Sequence, residues 1–171
     1  MDMTGTRHIE APRDVVWRAL NDVEVLRQSI PGCQSIEKIS DTEMNAKVTL
    51  KVGPVKATFA GKVTLSDLDP PNGYTITGEG SGGAAGFAKG SALVRLVEDA
   101  GATNLNYEVK AQIGGKLAQL GSRLIDATSK KLAAEFFEKL SEAVAPTQET
   151  EASEAAPPEK KKGWFRKLIK K

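Results

Sequence analysis

Histidine and cysteine, the side chains that titrate closest to neutrality, are scarce in this chain. Its 171 residues include one histidine, His8, and one cysteine, Cys33. A general base must titrate near neutrality within reach of a substrate. His8 lies in the chain's first, edge-like strand, where alternation leaves it facing either solvent or the interior. Cys33 follows Pro31-Gly32 with no histidine placed to draw its proton, so a buried free thiol is expected rather than a thiolate nucleophile. A lone cysteine also excludes an intramolecular disulfide and a CxxC-type metal site. Asp126 and Glu135 stand amid Lys130, Lys131 and Lys139 and read as a solvated helix face. No catalytic dyad assembles, and no flavin, haem or iron–sulfur motif occurs. These residue types point to binding rather than catalysis.

Two segments suit binding. Gly78–Gly90 holds six glycines and is too poor in side chains to form a packed core. It is not a phosphate loop: the Walker-type pattern is missing, and the run leads into a strand-like stretch, Ser91–Glu98. Glycine in strands permits bends and close approach, so the run reads either as a strongly bent strand pair or as a thinned wall around a bulky apolar ligand. The other segment is residues 160–171, with seven of the 24 Lys/Arg and no acid. As a helix it would gather Trp164, Phe165, Leu168 and Ile169 on one side, with Arg166, Lys167, Lys170 and Lys171 on the other. Such a peptide fits the headgroup layer of an anionic membrane. It is too short to span one, since crossing takes about 20 apolar residues.

The formal charge of +2 hides an asymmetry, because without those seven cations 17 Lys/Arg face 22 Asp/Glu. Residues 146–159 contain Glu149, Glu151, Glu154 and Glu159, three prolines and no large hydrophobe, and read as a disordered acidic linker. Residues 1–145 are long enough for one folded domain. Met1–Thr6 lacks the charged and apolar regions of a signal peptide, and no transmembrane run is present. The expected location is therefore cytoplasmic, peripheral on the inner face of the cell membrane; docking of the basic tail on a partner protein ranks second, and a nucleic-acid partner is not expected.

The elements that must hold a site follow from periodicity. Met3–Glu10 reads as a strand, Pro12 opens a helix over Val15–Leu20, and a second helix over Val23–Ser29 stops at Pro31-Gly32. The period then changes to two. Val48, Leu50 and Val52 alternate with lysines and threonine, as do Val55 to Leu65 beyond a Gly53-Pro54 turn, then Tyr74, Ile76 and Gly78, and later Leu105 to Ile113. Each such strand has one apolar face, the pattern of an antiparallel meander wet on one side. The cover is a long helix over Lys116–Val144, whose Leu117, Leu120, Leu124, Thr128, Leu132, Phe136 and Leu140 recur three or four residues apart. One strand, two short helices, about six strands and a long closing helix predict an α+β helix-grip fold. Its curved antiparallel sheet wraps a C-terminal helix and tends to enclose an apolar cavity.

Three blocks carry a family resemblance: Ile30-Pro31-Gly32-Cys33, Val52-Gly53-Pro54-Val55 through Gly61-Lys62-Val63, and Gly114-Gly115-Lys116 through Ile125. Together with Ala11-Pro12, Val16-Trp17 and Leu20-Asn21-Asp22, they resemble the CoxG family of carbon monoxide dehydrogenase subunits, within the START-related (SRPBCC) superfamily. The resemblance implies a non-catalytic accessory of a molybdenum hydroxylase of the carbon monoxide dehydrogenase type. Such a protein binds a respiratory quinone (menaquinone or ubiquinone) as its hydrophobic ligand, tethers the enzyme to the membrane, or does both. It needs no metal. The alternatives are a ligand-free adaptor and a lipid-binding or cyclase-type member of the superfamily. The apolar pattern nominates Leu26, Ile30, Phe59, Val63, Phe87, Leu120, Leu124 and Thr128 as cavity residues, with ordinary core as the competing reading for each.

Overall fold

The computed structural model describes residues 1–145, so the expected linker and membrane-binding segment (146–171) lie outside the described residues. The chain opens with β1 (Asp2–Ile9) and crosses through two short helices, α1 (Arg13–Leu20) and α2 (Val23–Ser29). It then runs as a meander: β2 (Cys33–Ser40), β3 (Glu43–Val52), β4 (Val55–Asp69), β5 (Gly73–Ser81), β6 (Phe87–Asp99) and β7 (Ala102–Gly114). Two further helices follow, α3 (Lys116–Gln119) and α4 (Ser122–Val144). The seven strands form one antiparallel sheet in the order β1-β7-β6-β5-β4-β3-β2, so α1 and α2 carry the chain from one edge to the other. This is the helix-grip fold expected from the alternation.

Local chemistry sets the helix ends. The Pro12 carbonyl accepts the first amides of α1, from Val15 and Val16, both at 3.0 Å. Asp22 caps α2 through its carboxylate, which accepts the Glu24 and Val25 amides at 2.9 and 3.4 Å. The expected continuous helix from Lys116 to Val144 is corrected: it breaks at Gly121, whose φ of 93° belongs to the left-handed region that glycine tolerates. The leucine spacing carries across this break, which is why periodicity alone missed it.

Strand register grades the concave face from large to small. The pairing places Tyr74, Val94 and Tyr107 in one cross-strand row, and Leu65, Ile76, Ala92 and Val109 in another. Further along the strands, Val63 aligns with Gly78, Gly90 and Ala111, then Gly61 with Gly80, Ala88 and Ile113. The bulky end is closed by α1 and the last turns of α4, where Ile9, Val16, Leu105 and Leu140 are at most 1% exposed. Leu140 is the one fully buried residue of α4. Leu132, Phe136 and Phe137 are only half-buried although they face the sheet, because the sheet curves away from them.

Candidate functional site

The space left beneath α4 is an apolar cavity of about 580 Å³, within the range of small-molecule sites. Its ceiling is Ser129, Leu132, Ala133, Phe136 and Phe137 of α4, and its floor includes Val63, Ile76, Val94 and Tyr107. Met1, Met3 and Met44, the chain's three methionines, all line it. Their flexible, polarizable thioethers suit a wall that adapts to an occupant. The aromatic members are ordered against one another. Tyr107 stacks on Phe137 with centroids 5.3 Å apart, and Phe136 meets Phe137 edge-on at 5.2 Å. The Arg7 guanidinium lies 5.7 Å from the Phe137 centroid. Tyr107 reaches this position because its register partner on β1 is Gly5; a Cβ there would collide with the phenol.

A second space of about 250 Å³ adjoins the first and shares Leu50, Ser129 and Leu132 with it. It lies over the small rows of the sheet, lined by Phe59, Gly80, Ala88, Ile113, Leu117, Ile125 and Thr128. The glycines here are small for two reasons. A Cβ on Gly61 or Gly90 would run into a carbonyl of the neighbouring strand, so close approach is required. At Gly78 and Gly80 a Cβ would meet nothing closer than 3.6 and 3.7 Å, so there the missing side chains leave room.

The polar groups in the larger cavity are few. No Asp, Glu, Lys, Arg, His or Cys side chain lines it. The Ser129 hydroxyl donates to the Met1 sulfur at 3.2 Å, a weak acceptor. Tyr74 donates a long hydrogen bond of 3.5 Å to the Leu20 carbonyl. Burial pushes its phenol well above its usual pKa, so it stays protonated.

Of the expected cavity residues, Leu26, Ile30 and Val63 line the larger space, and Phe59 and Thr128 line the smaller one. Three others are corrected. Phe87 belongs to the outer face of β6: it pairs with Ser81 and Gly114, is 41% exposed, and edges an open depression between Lys47, Lys62 and Lys89. Apolar character within the glycine run suggested an inward side chain, but the register places it outside. Leu120 closes the short α3 turn, its amide donating to the Leu117 carbonyl at 3.1 Å, and lines neither space. Leu124 lies over the β3–β4 turn, where a Cβ on Gly53 would come within 2.7 Å of its Cδ2. Leu120 lies before the break at Gly121 and so outside α4, whereas Leu124, in the first turn of α4, packs towards the β3–β4 turn and lines neither space. Sequence reasoning missed Tyr107, Ser129, Ala133 and Phe137. Tyr107 was visible as an inward position of its strand, whereas Ser129 and Ala133 give no apolar signal.

The histidine and the cysteine stand apart from the cavity. His8 is exposed on β1, bonded to Asn104 at 2.8 Å and Glu10 at 2.7 Å, with Asp99 at 4.0 Å. The Asn104 hydrogen bond, with that of Glu10, raises its pKa above 6.5. Cys33 is half-buried at the start of β2, and burial pushes its thiol up, away from the reactive thiolate. Among the described residues no group of three or more His, Cys, Asp and Glu could hold a metal ion, and no helix is long and apolar enough to cross a membrane.

A curved seven-stranded sheet gripping a C-terminal helix over an apolar cavity defines a START-like, helix-grip protein, and solved structures agree. A conserved protein from Geobacillus kaustophilus superposes with a TM-score of 0.81 at 28% identity, over 85% of this chain and 95% of its own. A STAR-related lipid transfer protein from Xanthomonas axonopodis gives 0.58 at 19% identity, covering 85% and 86%. The Zhui aromatase/cyclase from a Streptomyces species gives 0.60 at 16%, covering 84% and 93%. The last two likenesses show the fold alone. Residues 5–145 match the CoxG family of carbon monoxide dehydrogenase subunits, and the chain belongs to that family. Comparison with curated proteins returned no match.

Proposed function

We propose that this protein is a non-catalytic accessory protein. It carries a respiratory quinone in the cavity beneath α4 and links an oxidoreductase of the carbon monoxide dehydrogenase type to the inner face of the cell membrane. The observation that carries this reading is the 580 Å³ cavity with its apolar lining, beside a second space that shares Leu50, Ser129 and Leu132 with it. A cyclase needs an acid or base poised near neutrality against its substrate. This cavity offers two tyrosine phenols, a serine hydroxyl and no carboxylate, imidazole, amine or thiol side chain. Such a wall binds a neutral apolar molecule and leaves its redox chemistry to the molecule itself. A quinone fits: it takes two electrons and two protons to become a quinol, and both forms are uncharged. The family name supports the choice of oxidoreductase partner.

Attachment falls to residues 160–171. Seven cations at about 1 kcal/mol each near an anionic leaflet, with four large apolar side chains, give a reversible anchor. The acidic segment 146–159 would act as a tether with a mean reach of roughly 20 Å, letting the domain face membrane or enzyme in turn. Native mass spectrometry of protein purified from its membranes, with organic extraction, tests the cargo: a stoichiometric quinone is expected. Protein that emerges empty and takes up no added quinone would overturn the carrier reading. Deleting residues 160–171 tests the anchor. The protein is expected to leave liposomes of anionic lipid and keep its melting temperature; undiminished pelleting would refute it.

A further inference from the structure

We infer that the two adjoining spaces divide one ligand between them: a planar ring sits over Ala133 in the larger space, and its apolar chain runs past Ser129 and Leu132 into the smaller one. This rests on the quinone reading above and adds the ligand's orientation.

The lining of α4 sets the scale. Cavity residues run from Ile125 to Phe137, a length of about 18 Å at the helical rise. A compact ligand would not need that length, whereas a ring with an isoprenoid chain would. The two ends differ in chemistry. Between Ser129 and Phe137, about 12 Å apart along the helix, the intervening inward residue one turn from each is Ala133. Its single methyl leaves a gap in the ceiling, bounded at one end by the Tyr107–Phe137 stack and the edge of Phe136. Flat rings pack well against such faces and edges. At the other end stands Ser129, whose hydroxyl now spends its hydrogen on a thioether sulfur. A ring carbonyl is a far better acceptor and would take that hydrogen bond. Beyond Ser129 the walls are mainly aliphatic, with Leu117, Ile125 and Ile113, over the small residues Gly80 and Ala88. That lining suits a branched chain and offers a ring only Phe59 as an aromatic partner, against Tyr74, Tyr107, Phe136 and Phe137 in the larger space.

The test is calorimetric titration of the full-length protein with 2-methyl-1,4-naphthoquinone and with the same ring bearing two isoprene units. In the unaltered protein the chain should tighten binding at least tenfold. Thr128→Phe fills the smaller space and should erase most of that gain while leaving the bare ring within about twofold. Ala133→Leu fills the ring slot and should weaken both probes at least tenfold. Gly80→Ala serves if Thr128→Phe fails to fold, since its Cβ meets nothing closer than 3.7 Å, and it should trim the chain's gain alone. The orientation is overturned if filling the smaller space weakens the bare ring as much as the chained one, or if Ala133→Leu leaves the ring's affinity intact. Failure of the unaltered protein to bind either probe would instead overturn the quinone reading itself.

Discussion

Two leucines of α4 test whether the cavity persists in solution. Leu140 is 0% exposed at the packed end of the helix, whereas Leu132 lines both spaces. Cutting either to alanine removes three carbon atoms, worth about 2.4 kcal/mol if all are withdrawn from water. At Leu140 the surrounding atoms of Val16, Leu105 and their neighbours cannot close the gap fully, so the cavity left behind adds to the loss. The expected cost is about 3 to 5 kcal/mol. At Leu132 one side already faces empty space, so fewer contacts are lost and an existing void grows rather than a new one opening. Its cost should be near 1 kcal/mol. Urea unfolding followed by circular dichroism reads both. With an m-value of about 1.5 kcal/mol/M, Leu140→Ala should lower the midpoint by about 2 to 3 M and Leu132→Ala by less than 1 M. Equal losses at the two sites would mean that the helix collapses onto the sheet in solution, and the cavity argument would fail.

Three further outcomes are expected. The Ser29 hydroxyl belongs to a residue only 1% exposed and makes no hydrogen bond, so Ser29→Ala should raise stability by about 1 kcal/mol, seen as a melting temperature about 2–4 °C higher; a lower melting temperature would show that the hydroxyl has a partner. His8 has its folded pKa raised, so its contribution to stability is complete below the unfolded value of about 6.5 and is lost as pH rises through the folded value. The single histidine should titrate by NMR above 6.5 and fall back towards it in Asn104→Ala; a wild-type midpoint at or below 6.5 would rule out the Asn104 and Glu10 pairing. Gly78→Ala should be neutral or stabilising by about 0.5 kcal/mol, while Gly90→Ala, whose Cβ would meet the Lys110 carbonyl, should cost at least about 1 kcal/mol; equal effects would break the distinction between room and close approach.

How much was legible beforehand depends on the range of the cause. The alternation from Val48 to Leu65 and from Leu105 to Ile113, the helix over Val23–Ser29 and the turn at Gly53 are local patterns, and each appears where the residues place it. They were enough for the helix-grip fold, because strands with one apolar face need a cover and one long amphipathic segment was available. The single histidine and single cysteine were also plain from composition. The cavity was not. Its volume depends on which residues meet across strands, and one residue of register reverses every side chain in a strand. Phe87 was assigned to the wrong face for this reason, and Gly78, Gly80 and Gly90 acquired their different roles only once paired. Likewise, Leu120 and Leu124 continue the leucine spacing yet miss the cavity: the positive φ at Gly121 leaves Leu120 outside α4, and Leu124, in the first turn of α4, packs over the β3–β4 turn instead. The order of residues thus dictates the elements and their apolar faces, all set by neighbours within a few positions. Where the sheet parts from the helix, and which groups face the gap, emerges only on folding, since it follows from contacts between residues as distant as Gly5, Tyr107 and Phe137.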